Sequence, residues 1–307
     1  FTLEILSEME ENRMNEDFKT KYLNIYLDHL NPDLSPSTLH NKQNNISVFL
    51  NYLSNHDIYN FENFDINIVF RFINSLNYAP QTISGLEFNL REFFDILHKT
   101  GLTDFEGREV FPVIFTNKRD RIISFYSTEE VRKVIDVLDP KSRNYTMNKC
   151  MVLIAAQIGL RSSDILGLKL SEIKWDKGLI ERKQAKTGNL VSVPMPENIR
   201  LLLIDYIKNH RPECDSDYVF INQTSMNRYC STELLAIVRR LIRKTDISVK
   251  NRKVGPHALR HSLATRLLES NTPMPVITGI LGHKNLNTTR AYLNIDIESL
   301  RKRSMEV

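Results

Sequence analysis

Four short segments in the C-terminal half set out cations, imidazoles and one phenol in a fixed order. The first is Gly159-Leu160-Arg161-Ser162-Ser163-Asp164, where an arginine directly follows an apolar helix and a glycine and is therefore available to a cleft. Asp164 lies about one helical turn further on, where it can hold or orient a neighbouring cation. The second is Lys186, in a Lys-Thr-Gly-Asn turn whose flexibility lets an ammonium move in and out of a site. The third is His257-Ala258-Leu259-Arg260-His261. On a helix, His257 and Arg260 share a face while Ala258 and Leu259 turn inward; His261 points about 100° away from Arg260 and reads as structural. The fourth is Leu281-Gly282-His283, followed by Tyr292 in Thr288-Thr289-Arg290-Ala291-Tyr292. Fixed cations and imidazoles of this kind suit a polyanionic substrate.

Each piece alone has a plainer explanation. An Arg-x-x-Asp pair is usually a surface ion pair, a lone histidine usually structural, and Tyr292 is one of 11 tyrosines. The ordered set Arg161, Lys186, His257, Arg260, His283 and Tyr292 resembles the tyrosine recombinases, over about residues 120–307. That resemblance implies a site-specific recombinase or integrase that cuts and rejoins DNA through a covalent 3′-phosphotyrosine, with Tyr292 as nucleophile. The chemistry is coherent. Attack on a phosphodiester builds up negative charge, which two guanidiniums clamp bidentately better than an ammonium does. Arg161 and Arg260 fit that role, and with such cations in place no metal is expected to be needed. Lys186 is the expected general acid for the departing 5′-oxygen. His257 and His283 supply further hydrogen bonds to the phosphate, and either can assist proton transfer from Tyr292. The covalent link conserves the bond energy, so no ATP is expected, and the chain has no GxxxxGK[ST] loop.

The elements that must position these residues follow from hydrophobic periodicity. Phe18, Tyr22, Ile25, Tyr26 and Leu30 predict a helix from about Glu16 to Leu30, closed by Asn31-Pro32. Ser35-Pro36 opens a second helix to about Asn55, with Ile46, Phe49, Leu50 and Leu53 inward. A third covers about Ile66 to Leu76, and a fourth runs from Ala79-Pro80 to Thr100, ending at Gly101. Residues 102–126 carry few periodic signals. Ser127 and Glu130 have capping-box spacing for a helix through Leu138, and another helix carries Met151 to about Leu160. Residues 179–195 alternate around the Lys186 turn as a β-hairpin, and from about Glu197 the chain is helical again. The expected fold is mainly α with a small β-hairpin or sheet. It comprises an N-terminal helical bundle over 1–116 (core-binding and SAM-like, by the resemblance), a linker at 117–126, and an α+β catalytic domain over 127–307. The amphipathic tail at 295–307, with Ile295, Ile297 and Leu300, is expected to dock on a neighbouring protomer in a DNA-bound homo-tetramer.

Charge supports a polyanionic partner for the second part. Residues 1–120 carry a net −8 and residues 121–307 a net +12. Arg239, Arg240, Arg243 and Lys244 lie on a predicted helix face suited to phosphate backbone, although a solvated face serves as well. The three cysteines, Cys150, Cys214 and Cys230, lack CxxC spacing, and the eight histidines form no metal motif, so neither a disulfide framework nor a metal is expected. No apolar run is long enough to span a membrane, and residues 1–15 do not read as a secretory signal. A chain that opens on Phe1 is expected to lack part of its natural N-terminus. The expected partner is double-stranded DNA carrying specific recombination sites, in a bacterial cytoplasm near the nucleoid. Four rivals stand beside the mobile-element integrase: a chromosome-dimer resolving recombinase, a type IB topoisomerase, a catalytically silent DNA-binding protein, and a metal-dependent nuclease. The Leu-Gly-His spacing to Tyr292 and the compact N-terminal bundle favour a recombinase over the topoisomerase. A binding protein has no need of Tyr292, and a nuclease would need a carboxylate cluster.

Overall fold

The computed structural model describes residues 2–62, 64–111, 124–186, 188–250 and 252–282. His283, Tyr292, the tail at 295–307 and most of the expected linker lie outside the described residues. The chain divides into two compact units, Phe1–Thr116 and Asn117–Val307.

The first unit is a helical bundle. Helix α1 runs Thr2–Asp28, α2 Pro36–Ser54, α3 Asn67–Ser75, α4 Pro80–Lys99, and a single turn α5 Gly107–Val110. Helix α1 starts well before the expected Glu16. The Glu, Leu and Met residues among 2–15 have high helix propensity, which favours the extension. Phe18, Tyr22 and Tyr26 line the buried side of α1, while Ile25 and Leu30 are only half-buried. Helix α2 buries Ile46, Phe49, Leu50 and Leu53, and α4 buries Leu86, Leu90, Phe93, Phe94 and Leu97. The Ser35 hydroxyl caps α2 by accepting from the Thr38 N–H at 3.2 Å. At the other end of α4, Gly101 adopts φ 72°. At the edge of this aromatic core, Glu92 accepts from the Tyr26 hydroxyl at 2.6 Å and pairs with the buried Lys42.

In the second unit, α6 spans Thr128–Asp136 behind a capping box: Ser127 Oγ accepts from Glu130 N at 3.2 Å, and Ser127 N donates to the Glu130 carboxylate at 2.8 Å. Helix α7, Tyr145–Leu153, passes into a π-helical turn over Ile154–Ile158 that Gly159 ends at φ 76°. The short α8, Ser162–Leu166, leads to an antiparallel sheet of β1 Ile173–Lys174, β2 Leu179–Lys183 and β3 Leu190–Pro194, in that order. Ile180 pairs with Val193 and Lys183 with Leu190, so the β2–β3 hairpin closes where the alternation placed it. The two-residue β1 carries too little pattern to be read from sequence. Helices α9 Glu197–Asp205, α10 Ser231–Arg243, α11 Pro256–Glu269 and α12 Met274–Leu281 complete the unit. Its core packs Met151, Ile154, Ile165, Ile180, Val193, Leu203, Phe220, Leu234, Val238 and Leu259 together.

A polar clamp ties the start of this unit to the approach to α11. Arg252 pairs with both Glu130 oxygens at 2.6 and 2.7 Å and lies over the Tyr126 ring, 4.2 Å from its centroid. Tyr126 N donates to Ser262 Oγ at 2.8 Å, and its hydroxyl donates to the Lys253 carbonyl at 3.0 Å. The segment bearing His257 is thereby held from both sides.

Candidate active site

Gly159 sets the geometry. Its left-handed turn ends the helix and lets α11 approach closely: a Cβ there would lie 2.7 Å from Leu263 Cδ2. The chain then extends at Arg161 (φ −69°, ψ 154°), which serves as N-cap of α8 and is half-buried. Pro256 at the first turn of α11 fixes the start of that helix, placing His257 at its rim and burying Arg260 one turn later.

Three donors converge on the last residues of α12. Arg260 donates to the Gly159 carbonyl and, at 2.5 Å, to the Leu281 carbonyl. Gln184, following β2, donates through Nε2 to the same Leu281 carbonyl at 3.3 Å. Arg161 donates to Gln184 Oε1 and to the Gly282 carbonyl at 3.5 Å. Gly282 itself turns left-handed at φ 59°, one residue before His283.

Lys186 is exposed in the hairpin turn, which is closed by Gln184 N to the Asn189 carbonyl at 2.8 Å and Gly188 N to the Gln184 carbonyl at 2.9 Å. Fully buried Asp164 accepts from Ala185 N at 2.9 Å, so it anchors the backbone directly before Lys186. The cation beside it is Arg182, at 3.7 Å, which also faces Glu172 at 3.5 Å. Asp164 therefore holds the hairpin to α8.

His257 reaches solvent, yet it senses Arg161, Lys186 and Arg260. Enclosure of its ring, then the charges of Arg260, Lys186, Arg161 and Lys253, hold its pKa below the ordinary histidine value. A largely neutral imidazole at pH 7 can accept a proton or donate one N–H. Behind it, His261 lies with its ring centroid 6.5 Å from that of His257. Burial first, and then His257, Arg260 and Lys253, push its pKa down to about 4.

A pH dependence follows. Unfolded, His261 titrates near pH 6.5; folded, near pH 4, so between these values the unfolded chain binds the extra proton and stability falls as pH is lowered. The loss is expected to reach about 3 kcal/mol at most by pH 4. Urea titrations at pH 7, 5.5 and 4 check it, with His261→Gln losing the part of the slope that this residue contributes. An identical slope in both proteins would contradict the assignment.

Arg161, Lys186, His257 and Arg260 thus share one cationic site. Arg239, Arg240, Arg243 and Lys244 instead form one exposed face at the end of α10, with no side-chain hydrogen bond or ion pair among the described residues. Sequence reasoning missed Gln184 and Arg182. The available signal was the strand period: Ile180, Arg182 and Gln184 alternate onto the buried side of β2 and its extension, and two of the three are polar. Among the described residues no three His, Cys, Asp or Glu side chains are grouped to hold a metal ion, and no helix is long and apolar enough to cross a membrane.

Comparison with known proteins places the chain in a family. Residues 124–298 match the phage integrase family. The tyrosine recombinase XerA of Pyrococcus furiosus is 31% identical over 176 residues, covering 57% of this chain and 58% of that protein. XerA of Thermococcus kodakarensis is 29% identical over 174 residues, 57% of this chain and 59% of its own. The chain thus spans under two thirds of the length of either relative. Among solved structures, the XerH site-specific recombinase bound to a palindromic difH substrate superposes with a TM-score of 0.71 at 21% identity, over 87% of this chain and 79% of that one. A lambda integrase dimer bound to a core site gives 0.69 at 17% identity, over 89% and 94%. These likenesses are of fold. The chain belongs to the phage integrase family, the tyrosine recombinases.

Proposed function

We propose that the chain is a site-specific recombinase that cuts and rejoins DNA through Tyr292, acting for a mobile element. The observation that carries the reading is the convergence of Arg161, Arg260, Lys186 and His257 in one cationic site, with both arginines bonded to the end of α12 directly before His283. The phosphate to be cut enters between the two guanidiniums, which stabilise the charge that grows on its non-bridging oxygens. Tyr292 Oη bonds to phosphorus as its proton passes to His257 or His283. The 5′-oxygen leaves, taking a proton from Lys186, and a 3′-phosphotyrosine remains. A 5′-hydroxyl from the partner strand reverses the steps without ATP or metal.

In the same reading the helical bundle of the first unit is a core-binding domain that grips duplex DNA with the second. The exposed cations of α10 meet phosphate backbone, and residues 295–307 join protomers into a tetramer. The whole acts on DNA in the cytoplasm. Fold likeness to a transposon integrase bound to transposon right-end DNA supports the mobile-element role (TM-score 0.65, 15% identity). Likeness to XerA favours chromosome-dimer resolution as the second reading. Excision between directly repeated sites that lack accessory sequences separates the two.

The test uses a labelled duplex interrupted near the cut, carrying a site that the chain selects from randomised DNA. In excess EDTA, a denaturing gel should show a covalent protein–DNA band for the wild type and none for Tyr292→Phe. A bound duplex that yields no band would mean a DNA-binding protein without this chemistry.

A further inference from the structure

Gln184 has no part in the chemistry above, yet it is among the best-held polar side chains of the second unit. It is 1% exposed and immediately follows β2, with its backbone bonded at both ends of the hairpin turn. Its amide oxygen accepts from Arg161, and its amide nitrogen donates to the Leu281 carbonyl. Those neighbours impose opposite demands. A guanidinium needs an acceptor, and a carbonyl needs a donor. Only a carboxamide offers both from one planar group: a carboxylate would face the carbonyl with a second acceptor, and a cation would repel Arg161. Gly282 records the same fit, since a Cβ there would lie 2.6 Å from Gln184 Cδ and Oε1.

We propose that Gln184 is a positioning residue that holds the Arg161 guanidinium in register with the end of α12, so that one amide ties the phosphate clamp to that helix end. This rests on the recombinase reading above. Gln184 touches no reacting atom; it acts through Arg161, whose charge is useful only against an anionic phosphate oxygen.

The experiment compares the wild-type chain, Gln184→Met and Gln184→Glu on the selected duplex in single-turnover cleavage at saturating protein. Methionine keeps the volume and removes both hydrogen bonds. Glutamate keeps the acceptor and pairs off the Arg161 charge. Both substitutions should slow cleavage roughly tenfold to a hundredfold, because a small misplacement of a clamp is felt in the transition state. Duplex affinity should stay within about threefold, since many backbone contacts share the binding.

A second duplex carries a methylphosphonate at the mapped cut, which replaces a charged oxygen by a methyl group. There the charge of Arg161 has less to stabilise, and the gap between wild type and Gln184→Met should shrink to about threefold or less. An equal gap on both duplexes, or wild-type cleavage by Gln184→Met, overturns the proposal. Melting temperatures of Gln184→Met, Arg161→Ala and the double variant read the bridge without DNA: the double should lose less than the sum, and additive losses count against the bridge. If methionine prevents folding, Gln184→Glu decides on the same rates. Absence of cleavage by the wild type defeats the functional reading and the positioning role together, whereas wild-type cleavage with an equally fast Gln184→Met defeats only the positioning role.

Discussion

Arg260→Ala is expected to abolish useful cleavage, with a single-turnover rate down at least about a thousandfold. Arg260 is 3% exposed, and its guanidinium is bonded to the carbonyls of Gly159 and Leu281. Alanine removes a charge-stabilising donor from the transition state, takes the guanidinium from the Gly159 carbonyl and leaves the Leu281 carbonyl to Gln184. An unsatisfied buried carbonyl costs about 1–3 kcal/mol, so the variant should also lose a few kcal/mol of stability unless water reaches the site. Arg260→Lys separates the two effects. An ammonium restores positive charge but cannot bridge two carbonyls and present a planar fork to phosphate, so stability should recover more than rate does. Quenched time courses on the interrupted duplex, with urea denaturation of the same preparations, measure both. A lysine variant as fast as wild type would remove bidentate clamping from the mechanism.

Gly282→Ala is the second large effect. The position needs φ 59°, which costs a residue with a Cβ about 1–2 kcal/mol. The new methyl group also meets the Gln184 amide, the flexible end of its side chain. Movement of that amide relieves the clash but breaks its bonds to Arg161 and Leu281, so the steric cost reappears as a loss of positioning. Cleavage should fall roughly a hundredfold, more than so small a substitution produces at an ordinary helix end. Adding Gln184→Ala to Gly282→Ala tests the route. If the clash acts through the amide, the double variant is no slower than Gly282→Ala alone, whereas multiplied defects would place the effect elsewhere.

The sequence was most legible where one residue's chemistry dictates local geometry. Ser127 and Glu130 form the reciprocal cap that their spacing implies, and Gly101 ends α4 in the left-handed conformation. The β2–β3 hairpin followed from alternation around the turn. Arg161, Lys186, His257 and Arg260 were found by order along the chain, although no local pattern shows that four distant segments meet. Less legible were features set by tertiary packing. Gln184 and Arg182 were not singled out, because their burial depends on α12 and α8 covering that side of the strand. The role of Asp164 could be named from its position, but its partners were visible only when the hairpin lay against α8: it holds Ala185 N and neighbours Arg182. His261 was read as structural, and its depressed pKa comes from a cationic neighbourhood that the sequence distributes over several segments.

The end of α12 has a further consequence. The last carbonyls of a helix carry the negative pole of its dipole, a partial charge of roughly half an electron. Arg260 bonds Leu281 and Arg161 bonds Gly282 at that pole, so two like charges are partly neutralised by peptide groups before any nucleic acid arrives. The helix terminus acts as a resident counter-ion for the two guanidiniums. On the recombinase reading, an incoming phosphate then meets guanidiniums that are already assembled, and less of its binding energy goes into overcoming their mutual repulsion.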